Sequence, residues 1–300
     1  MKAKFLPLIA FLAPGCVLAG TPINETRDVS ADVRVDVSNV KGAVNVTAWD
    51  QGQVAISGTL GSGARRLAID GEGGHLSVKV EGPDKGKGLL NWGSDSSMEE
   101  SVINLKVPRR ASIEINVVSA EVAVSGLAGG EVQVDSVSGR VRIGADAKRV
   151  RIDSVSGDVE FDGKAADSSI ETVSGDVSAR GVGGRTRFET VSGTVRVKAD
   201  TPLRDASAGT VSGDIEINGD LDKGGRIHVE TMSGDVRLGV PSGISARVQA
   251  ESFSGTLRSD FGTVEKREHG PGSSLNVNVG DGSGNIDVNS FSGDVTIRRE

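Results

Sequence analysis

The residues able to do chemistry are few and scattered. The three histidines are His75, His228 and His269, and none has a second His or Cys within four residues. Metal sites space such ligands closely, so all three read as solvated or edge positions. Serine and aspartate recur together in Ser-Gly-Asp triplets, but no histidine recurs beside them. Gly-x-Ser-x-Gly elbows, phosphate loops and dinucleotide fingerprints do not occur. Asp281, Ser283, Asn285 and Asp287 alternate as oxygen ligands do in a calcium loop, yet the distal bidentate Glu is missing. A tight turn explains the same residues. A column of Asp158, Asp176, Asp214, Asp235 and Asp294 could form an acidic stripe, but Arg140, Thr194 and Thr256 interrupt it. That pattern fits a solvent-facing turn. A polysaccharide-active enzyme would need clustered carboxylates and aromatic platforms for sugar rings. The chain has only Trp49 and Trp92, and no Tyr. No catalytic residue, metal or cofactor is expected.

The elements that carry these residues are repeats. Ser136-Val-Ser-Gly-Arg-Val141, Ser154-Val-Ser-Gly-Asp-Val159, Thr172-Val-Ser-Gly-Asp-Val177 and Thr190-Val-Ser-Gly-Thr-Val195 follow one another. Thr210-Val-Ser-Gly-Asp-Ile215, Thr231-Met-Ser-Gly-Asp-Val236, Ser252-Phe-Ser-Gly-Thr-Leu257 and Ser290-Phe-Ser-Gly-Asp-Val295 continue the series. Their glycines are Gly139, Gly157, Gly175, Gly193, Gly213, Gly234, Gly255 and Gly293, at spacings of 18, 18, 18, 20, 21, 21 and 38. The last gap reads as two periods, with one copy that has lost the motif. Degenerate copies stand at Val118-Ser-Ala-Glu-Val122 and Asn39-Val-Lys-Gly-Ala-Val44. Apolar and polar residues alternate on both sides of each copy, which is the period of a strand. Two short strands in 18 to 21 residues make one solenoid coil. The expected fold is an all-β, single-stranded parallel β-solenoid (β-helix), right-handed, of about 13 coils, capped by residues 20–30 and by Val295–Glu300.

Strand parity must flip once at each motif. Val150 and Ile152 are even, whereas Val159 and Phe161 are odd, and a one-residue offset exchanges the faces of a strand. Two placements are open. The Ser/Thr column points inward with the flip at Ser-Gly, or the Val/Met/Phe column points inward with the flip just before it. Residues 137, 155, 173, 191, 211, 232, 253 and 291 form that apolar column, and exposing them to water is costly. The second placement is therefore favoured, with the glycines as corner residues able to take the bend.

The N-terminus reads as an export signal. A basic start, an apolar run from Phe5 to Leu18 and small residues at Val17-Leu18-Ala19 predict a signal peptide over 1–19, cleaved before Gly20. Lipidation at Cys16 is the rival, disfavoured by Pro14 in the approach. Cleavage removes the only cysteine and leaves 32 basic residues against 41 acidic, a formal charge of −9. That charge opposes nucleic-acid binding and adsorption to anionic lipid. Nothing after the signal reads as a transmembrane segment. The repeat domain is expected over 20–300, with an inserted loop over 82–101. Leu89, Leu90 and Trp92 form an apolar tip in that loop and are its candidate partner contact.

The recurring Val-Ser-Gly-Asp-Val, with Gly42-Ala-Val-Asn-Val-Thr-Ala-Trp-Asp50 and Val54-Ala-Ile-Ser-Gly58, resembles the bacterial putative-adhesin family of β-strand-repeat proteins. That family is a domain of unknown function, related to a domain of Lia-type envelope-stress proteins. The resemblance spans residues 28–298 and implies a β-solenoid without a known catalytic site. The expected function is a non-enzymatic, periplasmic or secreted scaffold, adhesin-like or in the envelope, binding an unidentified protein or glycan. A polysaccharide-active β-helix enzyme and a purely structural spacer are the alternatives.

Overall fold

The computed structural model describes residues 20–82, 98–266 and 271–300, which are all-β. The expected signal peptide, the tip Leu89, Leu90 and Trp92, and His269 lie outside the described residues. Strands β1 (Thr21–Trp49), β2 (Gln53–Leu60), β3 (Arg66–Glu81), β4 (Ser101–Pro108) and β5 (Ser112–Ala128) open the chain. The middle holds β6 (Glu131–Ser138), β7 (Val141–Ser156), β8 (Val159–Asp162), β9 (Ala165–Ser174), β10 (Val177–Ser192), β11 (Val195–Ser212), β12 (Ile215–Asn218), β13 (Leu221–Ser233) and β14 (Val236–Val240). The end holds β15 (Ala246–Ser252), β16 (Leu257–Ser259), β17 (Glu265–Lys266), β18 (Ser273–Val279), β19 (Gly284–Ser292) and β20 (Val295–Arg299).

In the middle the repeats stack as a β-solenoid. Each segment before the glycine pairs in parallel with its counterpart one repeat away, as Ile152 does with Val134 and with Ile170. Segments after the glycine do the same in a second wall, where Val177 meets Val159 and Val195. One repeat cannot bury its apolar face alone, and the neighbour above supplies both cover and backbone partners. The alternation decides what is covered. Ile143, Ile152, Phe161, Ile170 and Phe188 are completely enclosed between the walls.

Glycine separates the walls for a steric reason. Gly175 sits at φ +151°, and a Cβ there would lie 2.3 Å from the Gly157 carbonyl oxygen of the neighbouring repeat. The column of corner glycines therefore packs backbone on backbone, which a side chain would wedge apart. Beside it, each motif aspartate ties its repeat to the next. The Asp176 N–H donates to Asp158 Oδ1 (3.2 Å), and the Thr194 N–H donates to Asp176 Oδ1 (2.8 Å). The aspartate column is thus a structural seam of the corner, not only a solvated turn.

Three expectations fail here. The flip falls at Ser-Gly, so the Ser/Thr column is buried and the Val/Met/Phe column faces out, the reverse of the favoured placement. Alternation simply continues from Ile170 to Thr172 without a bulge, and only glycine relaxes it. Second, no motif copy is lost between Gly255 and Gly293. A Cβ on Gly293 would strike the Gly234 oxygen, and one on Gly255 would strike the Gly293 oxygen, so Gly293 stacks between the other two. Strands β19 and β20 return to lie between β13/β14 on one side and β15/β16 on the other. Val295–Glu300 is therefore interior and not a cap. The end is covered instead by β18, which runs antiparallel on β15, and by β17.

The third failure is uniform parallelism. Antiparallel pairs occur at both ends, and the first strand shows the same inward displacement as the last. Residues 34–47 of β1 pair in parallel with β5 on one side, and with β3 and β4 on the other. Outside β4 lies β2, antiparallel to it, and Thr21–Asp28 pairs antiparallel with β2. Reversing direction ends a parallel stack on a short hairpin rather than on a long open edge.

Candidate binding face

The catalytic-type residues are dispersed, as geometry shows directly. His75 Nε2 lies 2.8 Å from Asp36, and His228 Nε2 lies 3.8 Å from Glu230, in separate repeats. Among the described residues no group of three His, Cys, Asp or Glu side chains could hold a metal. Asp281 accepts the Ser283 N–H (3.0 Å) inside the β18–β19 turn, while Asn285 and Asp287 belong to β19. Trp49 is half-buried against Lys106 and donates through Nε1 to the Gln53 carbonyl. These arrangements build turns and ends of the stack.

What the repeats bring together is an apolar ridge. Among the described residues the exposed large hydrophobic side chains are Val102 and ten others, and those ten form a single column. In spatial order they are Val40, Val118, Val137, Val155, Val173, Val191, Val211, Met232, Phe291 and Phe253. Register proves the order: Thr190 pairs with Thr210, Thr231 with Ser290, and Ser290 with Ser252. Val155 is 49% exposed and Met232 60%. Phe291 and Phe253 stack face to face, with centroids 5.0 Å apart and planes 10° from parallel. A groove of about 900 Å³ runs along the ridge from Ser154 to Phe291. A second groove of about 490 Å³ continues it past Val137 to Val40. The ridge is a contiguous apolar strip of a kind that single scattered surface hydrophobics do not make.

The inner side of the same corner is polar. Ser154, Thr172, Thr190, Thr210 and Thr231 are at most 7% exposed, and their hydroxyls have no hydrogen-bond partner. Buried, unpaired hydroxyls cost about 1–3 kcal/mol each by mutational measures. A one-residue shift of the flip would bury the valines and wet the hydroxyls. The fold holds the opposite arrangement in every motif copy.

Carboxylates border the ridge on both sides. Two residues before the apolar side chain stand carboxylates at six of the ten rungs: Asp135, Asp153, Glu171, Glu189, Glu230 and Glu251. Three residues after it stand Asp158, Asp176, Asp214, Asp235 and Asp294 at five rungs, with Arg140, Thr194 and Thr256 at three others. Cations one row further out hold these columns together. Arg151 clasps Asp153 through two bonds, and Arg187 reaches both Glu171 and Glu189. Arg237 spans Asp214 and Asp235. The Thr256 N–H bonded to Asp294 holds that carboxyl below its usual range.

Sequence reasoning missed the ridge because it weighed the cost of exposing the apolar column and placed that column inside. The signal that could have found it is the unbroken period-2 run into each Ser or Thr, as in Ile152–Ser154 and Phe188–Thr190. The corner glycines do form one column, as their spacing indicates.

Three solved structures are similar across nearly the whole chain. A protein from Parabacteroides distasonis ATCC 8503, described as a putative lipid binding protein, is 14% identical over 93% of this chain and 98% of its own, with a TM-score of 0.53. A putative cell adhesion protein from Clostridium sporogenes ATCC 15579 is 12% identical over 93% and 100%, with a TM-score of 0.25. A putative adhesin from Bacteroides fragilis NCTC 9343 is 11% identical over 93% and 97%, with a TM-score of 0.37. No curated protein matches. The family model of Toastrack DUF4097 matches residues 29–298, which is the repeat region from β1 to β20, and the chain belongs to that family.

Proposed function

We propose that this protein is an exported, non-enzymatic interaction scaffold, adhesin-like in role, whose working surface is the apolar ridge from Val40 to Phe253. The observation that carries the reading is the inverted corner. Ten apolar side chains face water, and beneath six of them a buried hydroxyl, from Ser136 to Thr231, has no partner. A local arrangement that costs stability in six successive repeats points to a function served by the outer face. The stack supplies length and rigidity. We read it as a single-stranded, right-handed solenoid that is parallel through its middle and closed by antiparallel strands at both ends, supported by the parallel register from β5 to β13. Export places the partner in the periplasm or outside the cell, and mass spectrometry of the mature protein should find Gly20 as its first residue. A protein partner fits the ridge better than a sugar, since sugar platforms need isolated aromatic faces and the ridge is continuous aliphatic surface for seven rungs.

Photoreactive side chains placed at Val191 and Phe291, with Glu160 on the second wall as the control, test the assignment in cells. Discrete adducts at the first two positions and none at Glu160 are expected. Adducts of equal yield at all three, or none at the ridge, overturn it.

A further inference from the structure

We infer that the occupant of the ridge is an amphipathic α-helix of a partner protein, lying along the stack with cationic side chains on both flanks of its apolar stripe. The inference rests on the ridge being the binding face. Its first support is the pattern of charge. Carboxylates flank the apolar column on each side at most rungs from Val155 to Phe291, so a complementary surface there is apolar in the middle and basic on both borders. An amphipathic helix with Lys or Arg beside its apolar stripe presents that order of surfaces. An extended segment does not, because its alternate side chains point to opposite faces.

The second support is spacing. Rungs of a β-stack repeat every ~4.8 Å along its axis. A helix returns an apolar side chain to one face every ~5.4 Å turn. Same-face residues of a strand lie ~6.8 Å apart and fall out of step within two rungs. Helix and ridge stay matched over four or five rungs, and a helix of about 22 residues equals the ~33 Å from Val137 to Phe253. The third support is the unequal build of the ridge. Met232, Phe291 and Phe253 occupy three consecutive rungs, and large, closely packed side chains of this kind anchor interfaces. A second copy of this chain would set carboxylates against carboxylates, and an anionic membrane would be repelled by the same columns.

The test uses fluorescence anisotropy with the whole mature protein and four probes. One is a 22-residue Leu/Lys peptide with leucines at helical spacing. The others are a Leu/Glu peptide of the same spacing, a strictly alternating Leu-Lys peptide, and vesicles of phosphatidylcholine with or without phosphatidylglycerol. The helical Leu/Lys peptide is expected to bind, about 10-fold or more weaker to Met232→Ser/Phe253→Ser/Phe291→Ser. Weaker binding to Glu189→Gln/Glu230→Gln, and in high salt, is expected as well. All five side chains are exposed or half-exposed, and thermal melts verify that the variants fold. Equal binding of the Leu/Glu or alternating peptide, preference for vesicles, or indifference to the ridge variants overturns the inference. If adducts form at Val191 and Phe291 while the helical peptide does not bind, the helix assignment falls and the binding face stands. If neither occurs, the binding face itself falls.

Discussion

Thr190 and Val191 are adjacent in sequence and opposite in environment. The threonine is sealed under the corner with an idle hydroxyl, and the valine stands half in water. Elsewhere in the same repeat the usual rule holds: Phe188 is buried, and Arg187 and Glu189 pair in solvent. The body of each wall is thus built for stability, whereas the corner gives some of it up. The Ser-Gly pair of the corner recurs in all eight motif copies. The wall accepts Val, Ile, Phe or Ala at the position of Phe188, since any apolar side chain of suitable size fills a core. Two kinds of constraint therefore act on one 18-residue unit, packing on the walls and presentation at the corner.

Four measurements break or sharpen that contrast. The largest effect is expected where the two sides are held apart. Gly175→Val places a branched side chain into the Gly157 carbonyl at a positive φ, and chemical denaturation should show a loss of about 3 kcal/mol or more. A loss under 1 kcal/mol would mean that the corner is not sterically set. Next comes the inner column. Thr190→Val replaces an unpaired buried hydroxyl with a methyl of similar shape, so stability should rise by about 1 kcal/mol. A fall would show that the hydroxyl is satisfied, and the corner would carry no penalty. On the outer column Val191→Ser should change stability by no more than about 0.5 kcal/mol, while lowering the photo-adduct yield at Phe291.

The smallest effect concerns pH. The Asp294 carboxyl is lowered by the Thr256 N–H, so its contribution is present above the ordinary carboxylate range. It is lost as pH falls through the depressed folded value. An Asp294→Asn variant should therefore lose less of its stability than the native protein between neutral pH and pH ~3. Parallel acid curves for the two proteins would assign the seam no pH dependence.

Much of this was legible in the residues. The period, the all-β class and the corner glycines follow from local chemistry, because alternation and the demand for a Cβ-free corner act within a few residues. The ridge was half legible. Its members were identified as a column, but a preference for burying Val and Phe outweighed the alternation that led into each Ser or Thr. The place of β19 and β20 was not legible. Ser290-Phe-Ser-Gly-Asp-Val295 looks like the next copy along, and nothing within it says which neighbour it meets. That depends on the β16–β18 excursion, whose hairpin holds the outer layer while the chain doubles back.

The inward position of the first and last strands has a mechanical consequence. A strand at the rim of a stack can be unzipped one bond at a time. Strand β20 is gripped along both edges, by β14 and by β16, and β19 by β13 and β15. A load applied at residue 300 would shear two ladders at once, and single-molecule pulling from that point should need more force than peeling the β17–β18 hairpin. A fibre laid in this way yields last where it is tied.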